Sequence, residues 1–270
     1  MRDDGKIKRC YNVPMLAIDL NCDMGESFGA YTIGNDAEVI RYISSANIAC
    51  GMHASDPGVM KKTVLLCREH NVMAGAHPGY PDLAGFGRRQ LDMSDDEIVD
   101  SVMYQVGALK AFTDHFGMPL QHVKLHGALY HYALKKESLF LDIARTVQAT
   151  FGDLIFITLA TVESAILKRS CASYGIRLAL EAFPDRAYTD KGMLLPRKFP
   201  DAVITDPDTI AQRALVMVRD RGVTTVSGSR IDLEIDTLCI HGDNAGSIRA
   251  ASLIREGSQQ EGIRIKALSA

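Results

Sequence analysis

The stretch "HVKLHGALYH", residues 122–131, holds three histidines and one lysine within ten positions. Lys124 and His126 lie two apart, a spacing that puts side chains on one face of an extended strand. A strand buried on both faces of a parallel sheet reads as an unbroken apolar run, and an unpaired buried ammonium is strongly disfavoured. Lys124 is therefore expected where a carboxylate or a developing oxyanion can meet it. Polar residues close other short apolar runs in the same way: Asp19, Asn21 and Asp23 in "IDLNCD", His53 in "CGMHASD", His77 in "GAHPGYPD", His241 and Asp243 in "IHGD". With Lys124 and His126 these are the candidate catalytic residues, because imidazoles and carboxylates move protons and a fixed cation stabilises developing negative charge.

A second group would hold a substrate. "FGRR" and "LLPR" present Arg88 and Arg197, and "EAFPDRAY" brings Glu181, Asp185 and Arg186 together. Guanidinium groups grip a carboxylate or phosphate through paired hydrogen bonds. Arg89 reads instead as half of a surface salt bridge. His53 with Asp56, and His77 with Asp82, could form pairs in which the carboxylate fixes an imidazole tautomer. Asp56, just before Pro57, also fits a helix N-cap. Asp19, His53 and His77 are candidate ligands for a divalent metal, yet no HxxxH or HExxH spacing supports one. The chemistry is accordingly expected to run without a tightly held transition metal.

These residues need a scaffold that gathers them. Short apolar runs at 15–21, 45–50, 72–77, 122–127, 154–160, 176–183 and 236–243 read as about seven buried strands. Helical patterns lie between them. "DPGVMKKTVLLCREHN" opens on Asp56 and Pro57, "SDDEIVDSVMYQVGALKAFTDHFG" opens on the capping box Ser94 and Glu97 and closes on Gly117, and Asp206-Pro207 begins another. Strand–helix alternation implies a parallel sheet with right-handed crossovers. An open sheet would place a Gly-rich phosphate loop after its first strand, and "LNCDMGES" is not GxGxxG. Polar residues at the ends of so many strands converge if the sheet closes into a barrel, whose active site lies at the C-terminal rim. The expected fold is one TIM-like (β/α)7 barrel over 15–270, preceded by a loose extension at 1–14. "TTVSGSRIDLEIDT" is expected to add a small hairpin.

Composition narrows the class. At 270 residues, 47% hydrophobic and 23% charged, the chain has ample material for one core. A net charge of −3 argues against a broad electrostatic grip on nucleic acid. No apolar span is long enough for a membrane helix, and the polar first residues lack the apolar core of a signal peptide. The six cysteines are scattered without a CxxC pair, which suits reduced, packed side chains in a cytoplasmic protein.

From about Ala17 to Ala267 the chain resembles the LamB/YcsF family, through "IDLNCDMGES", "SSANIACGMHASDP", "GAHPGYPDLAGFGRR", "YQVGALKAF", "HVKLHGALY", "EAFPDRAYTDKGMLLPR" and "CIHGDN". Leu125 stands where the family often has proline, and "EAFPDR" where "EVFADR" is common; neither removes a candidate residue. The resemblance implies a seven-stranded barrel related to glycoside hydrolases and deacetylases. It also implies an ATP-driven hydrolase that opens the lactam ring of 5-oxoproline to glutamate with partner subunits B and C. Its strand-end polar positions fall on Asp19, Asn21, Asp23, His53, His77, Lys124, His126, Asp185, Arg186, His241 and Asp243. The resemblance implies ATP as a co-substrate of the complex, and this chain itself has no GxxxxGK[ST] loop that would assign ATP binding to it. Two other classes stand beside this one: a stand-alone metal-dependent deacetylase or carbohydrate hydrolase, and a non-catalytic subunit that binds a small acid.

Overall fold

The computed structural model describes residues 16–241 and 245–269, so the extension at 1–14, Cys10 and the candidate Asp243 lie outside the described residues. The first half of the chain forms β1 (Ala17–Met24), α1 (Asp36–Val39), β2 (Ser45–Ala49), α2 (Pro57–His70), β3 (Met73–His77), α3 (Asp95–His115), β4 (Leu120–Lys124) and α4 (Gly127–Lys135). There follow α5 (Glu137–Phe151), β5 (Ile155–Leu159), α6 (Ser164–Ser173), β6 (Arg177–Ala182), α7 (Pro207–Asp220), β7 (Gly222–Thr224), β8 (Arg230–Asp232), β9 (Thr237–His241), α8 (Ala245–Gln260) and β10 (Arg264–Ile265). Seven strands pair in the order β1-β2-β3-β4-β5-β6-β9, all parallel, and β9 pairs back with β1 to close the barrel. β10 adds to the start of β1, and β7 with β8 forms the expected antiparallel hairpin.

Local signals set the helix starts. Asp56 accepts from the N–H groups of Gly58 and Val59, Ser94 and Glu97 form a reciprocal capping box, and Asp206 accepts from Thr209 N–H. Alternation along the strands then sorts side chains between two environments. On β1, Ile18, Leu20, Cys22 and Met24 join the apolar layer under the helices. Asp19, Asn21 and Asp23, the intervening residues, face the barrel interior. That interior is not the usual stack of branched apolar layers. An apolar plug of Ile155, Ile157 and Ala179 fills the β5–β6 side, whereas hydrogen-bonded polar side chains fill the side formed by β1, β2, β4 and β9. Among the described residues no helix is long and apolar enough to cross a membrane.

Two expectations change here. Asp19 does not reach the C-terminal rim. Its carboxylate accepts from Ser44 and Ser45 at 2.7 and 2.6 Å and from Thr237 at 2.5 Å, and Ser45 and Thr237 begin β2 and β9. It therefore lies near the opposite end of the barrel, because β1 starts several residues before its neighbours. β4 also ends at Lys124, so His126 is not a strand residue but the residue that precedes the first turn of α4.

The polar interior depends on one glycine. Gly75 on β3 stands in register with His122 on β4, and a Cβ at position 75 would fall 2.0 Å from His122 Nε2. That ring, in turn, reaches Asn47 Oδ1 at 2.9 Å. Gly75→Ala is expected to lose about 1–3 kcal/mol by overpacking, read in thermal unfolding as a midpoint lower by several degrees. An unchanged midpoint would show that His122 has room to move.

Candidate active site

The floor of the barrel mouth is built on Lys124, whose side chain is only 3% exposed. Its Nζ lies 2.9 Å from Asp23 Oδ1 and 2.7 Å from Glu181 Oε2, with Cys239 Sγ at 3.1 Å and Asn21 Oδ1 at 3.4 Å. Asp23 comes from β1, Lys124 from β4, Glu181 from β6 and Cys239 from β9, so the ammonium ties strands across the barrel. Burial alone would push Lys124 toward the neutral amine. The surrounding Asp23, Cys239 and Glu181 outweigh burial and hold its pKa well above the usual lysine value. Burial likewise opposes ionisation of Asp23, but His77 and Lys124 bring it well below the carboxylate range. Asn47 Nδ2 also donates to Asp23 at 2.8 Å, and Tyr130 donates to Glu181 at 3.0 Å.

Beside this floor stand three imidazoles and one carboxylate. His77, the last residue of β3, donates through Nδ1 to the Lys124 carbonyl at 2.7 Å and turns Nε2 toward Asp23 Oδ2 at 3.3 Å. His126 points Nε2 at the Phe86 carbonyl, 2.9 Å away, and Nδ1 at His77 Nε2, 3.0 Å away. His53 stacks on His126 with ring centroids 3.7 Å apart. Burial, aided by neighbouring histidines, keeps both His53 and His126 well below the usual imidazole pKa. Glu26, on the loop after β1, is 3.9 Å from both His53 Nε2 and His126 Nδ1. Glu26, His53, His77 and His126 each bring a donor atom to within 4.8 Å of the others, the group among the described residues able to share a metal ion.

The rim carries a second carboxylate–imidazole pair. His241, at the end of β9, donates through Nδ1 to Asp185 Oδ2 at 2.5 Å, and Arg197 donates to its Nε2 at 3.2 Å. Burial disfavours charge on His241, but Asp185, by charge and hydrogen bond, holds its pKa above 6.5. Phe183 packs almost parallel to the His241 ring. Arg88 lies over the Phe86 ring at 5.0 Å, and both Arg88 and Arg197 are exposed at the mouth. Arg186 is buried and braces the loop instead, donating to the carbonyls of Ala202 and Leu195. A cleft of about 720 Å³ joins the two groups and is lined by Asp23, Glu26, His77, Lys124, His241 and the arginines 88, 186 and 197.

Most candidates from the sequence thus meet at one mouth, by different routes. Asn21 lies one layer below it, between Thr237 and Asn47. Asp19 is lower still, so it is absent from the group that could ligate a metal. The imagined His53–Asp56 and His77–Asp82 pairs do not form. Asp56 caps α2 and Asp82 holds Arg89, while His77 takes Asp23. Arg89 is the salt-bridge residue expected of it. The five described cysteines are buried and free, and burial raises Cys50 and Cys67 to about 12. Cys239 does more than pack, since it touches Lys124. Glu26 was missed. Its signal was an acidic residue directly after Gly25, whose φ of +68° turns the chain at the end of β1.

Comparison with known proteins comes to the same barrel. The LamB/YcsF family model matches residues 18–270. The chain is 47% identical over 250 residues to a protein from Pyrococcus horikoshii named as the A subunit of 5-oxoprolinase, covering 93% of this chain and 97% of that one. A protein of the same name from Syntrophobacter fumaroxidans is 46% identical over 252 residues, covering 93% and 98%. The crystal structure of a lactam utilization protein from Thermus thermophilus superposes with a TM-score of 0.86 at 42% identity, covering 94% of this chain and 100% of that one.

Two measurements test the electrostatics. Lys124→Met leaves Asp23 and Glu181 without their counter-ion, and removing one member of a buried pair is expected to lose about 3–5 kcal/mol. Adding Glu181→Gln should recover part of that loss in thermal unfolding; a Lys124→Met protein as stable as the parent would refute the counter-ion role. For the rim pair, the raised His241 stabilises the fold most below pH 6.5, and this contribution is lost as pH rises through its folded pKa. Burial opposes ionisation of Asp185, yet His241 brings it below 3.8, so its contribution is present above that value and fades as pH falls through its depressed pKa. In Asp185→Asn, burial should dominate and the His241 imidazole resonance should titrate below 6.5 rather than above it. An unshifted titration would separate the two residues electrically.

Proposed function

That this chain belongs to the LamB/YcsF family is the premise from which we propose its activity. It is the A subunit of an ATP-dependent 5-oxoprolinase, which opens the lactam ring of 5-oxoproline to glutamate in company with subunits B and C. One observation carries the reading beyond the relatives' names. A single cleft joins a buried ammonium and carboxylates at its floor to two exposed guanidinium groups at its rim. A small anion whose amide must be polarised and hydrolysed suits that division.

The chemistry explains the need for ATP. An unstrained lactam has a weakly electrophilic carbonyl and a poor leaving group. Transfer of the terminal phosphoryl group to the lactam oxygen, with release of ADP, makes the ring carbon electrophilic. Water then adds to that carbon, the ring C–N bond breaks, and the nitrogen takes up a proton. A second water releases phosphate and leaves glutamate. In this scheme Arg88 and Arg197 hold the substrate carboxylate. Lys124 favours negative charge gathering on the lactam oxygen. Asp23 takes the proton of the attacking water, and His241, held by Asp185, returns one to the leaving nitrogen.

The decisive assay combines this chain with subunits B and C, 5-oxoproline and ATP, and follows glutamate and ADP together. Equal release of both is expected, with neither formed when this chain is omitted. Failure of the full mixture to make glutamate would overturn the proposal. Glutamate made by the chain alone without ATP would favour the self-sufficient hydrolase. Arg197→Met should raise KM about 10–100-fold, the loss of a charge-assisted hydrogen bond, with a smaller change in kcat. A kcat effect without a KM effect would remove Arg197 from substrate binding.

A further inference from the structure

We propose that Glu26, His53, His77 and His126 form a binding site for one divalent transition metal ion of the zinc type. The four residues sit at the ends of four consecutive barrel strands: on the loop after β1, on the loop after β2, at the end of β3, and just after β4. No short sequence motif could announce such a set, which is why spacing argued against a metal.

The geometry of the rings supports a cation. His77 commits Nδ1 to the Lys124 carbonyl, and His126 commits Nε2 to the Phe86 carbonyl. Hydrogen bonds of this kind, from the far nitrogen to a backbone carbonyl, are how proteins orient metal-binding imidazoles. With the outer nitrogens serving as donors, the inner ones, His77 Nε2 and His126 Nδ1, present lone pairs to each other at 3.0 Å. Two lone pairs at that distance require a proton or a cation between them.

His53 decides between the two. Neither of its ring nitrogens has a hydrogen-bond partner among the described residues, although its side chain is fully buried. A buried imidazole left so is unfavourable by about 1–3 kcal/mol, and a proton shared by His77 and His126 does nothing for it. A metal ion does, because His53 Nε2 faces Glu26 across 3.9 Å, on the side where His126 Nδ1 lies. Ligands about 2.0–2.1 Å from a tetrahedral centre stand roughly 3.3 Å apart; the observed separations start at 3.0 Å and stay within 4.8 Å, so the outer ligands need only draw inward to close on an ion. Three imidazoles with one carboxylate suit zinc, cobalt, manganese or iron rather than magnesium or calcium, which prefer oxygen donors.

Metal binding is measured without turnover, so the outcome stands apart from the lactam reading. The full-length chain, stripped with a chelator and then dialysed, is titrated with Zn²⁺ by calorimetry and with Co²⁺ by visible absorption. One equivalent of each is expected, with Co²⁺ giving the visible bands of a low-coordinate site with nitrogen and oxygen ligands. His53→Gln and Glu26→Gln, each checked for folding by circular dichroism, should lose the stoichiometric site and those bands. His115→Gln, on an exposed helix end, should keep both. Absence of stoichiometric binding by the parent chain overturns the proposal whatever the variants do. So does full binding retained in folded His53→Gln and Glu26→Gln proteins.

Discussion

The mouth of this barrel depends on one buried cation. Lys124 lies between Asp23 and Glu181 and pairs with both, and removing one member of such a buried pair leaves an uncompensated charge. Its side chain fixes where Asp23 points, while its own backbone carbonyl fixes the ring of His77. One residue at the end of β4 therefore orients both the acid and the imidazole that face each other across the cleft. The strands that supply them are separated by many residues in sequence, and the ion pairs act as struts between β1, β4 and β6.

A polar interior places the demand for hydrophobic burial elsewhere. Leu20, Cys22, Met24, Ile48 and Val123 turn outward to the helix layer, and the large apolar cluster lies there. Inside, an apolar plug of Ile155, Ile157 and Ala179 occupies the β5–β6 side. The remaining space is filled by side chains that satisfy one another, from Thr237 to Asn21, Asn47 and His122. Such a network holds few alternative arrangements, because each displaced member leaves a buried polar group unpaired.

β1 shows how environment divides chemically equal groups. Asp19 and Asp23 lie on the same face of one strand, Asp19 fully buried and Asp23 nearly so. Burial raises the pKa of Asp19, and hydroxyl donors only partly offset it. At Asp23 the same burial is overcome by His77 and Lys124, and its pKa falls well below the usual range. Burial prevails at the carboxyl surrounded by hydroxyl groups, and the Lys124 ammonium with the His77 ring overrides it at the other.

Much of this was legible in the chain itself. The strand count, the helix caps at Asp56, Ser94 and Asp206, and the recurrence of His, Asp and Lys at strand ends are local patterns, set by side-chain periodicity and backbone hydrogen-bonding needs. Partnerships were less legible. Asp56 and Asp82 are near His53 and His77 in sequence, yet each carboxylate meets a closer local need, a helix N-terminus or Arg89. The height of Asp19 in the barrel, the position of Glu26 beyond Gly25, and the meeting of Lys124 with Glu181 all depend on how far each strand is staggered when the sheet closes. Stagger is set by pairing between strands distant in sequence, so local pattern determined which residues face inward, and only closure of the barrel decided which of them meet.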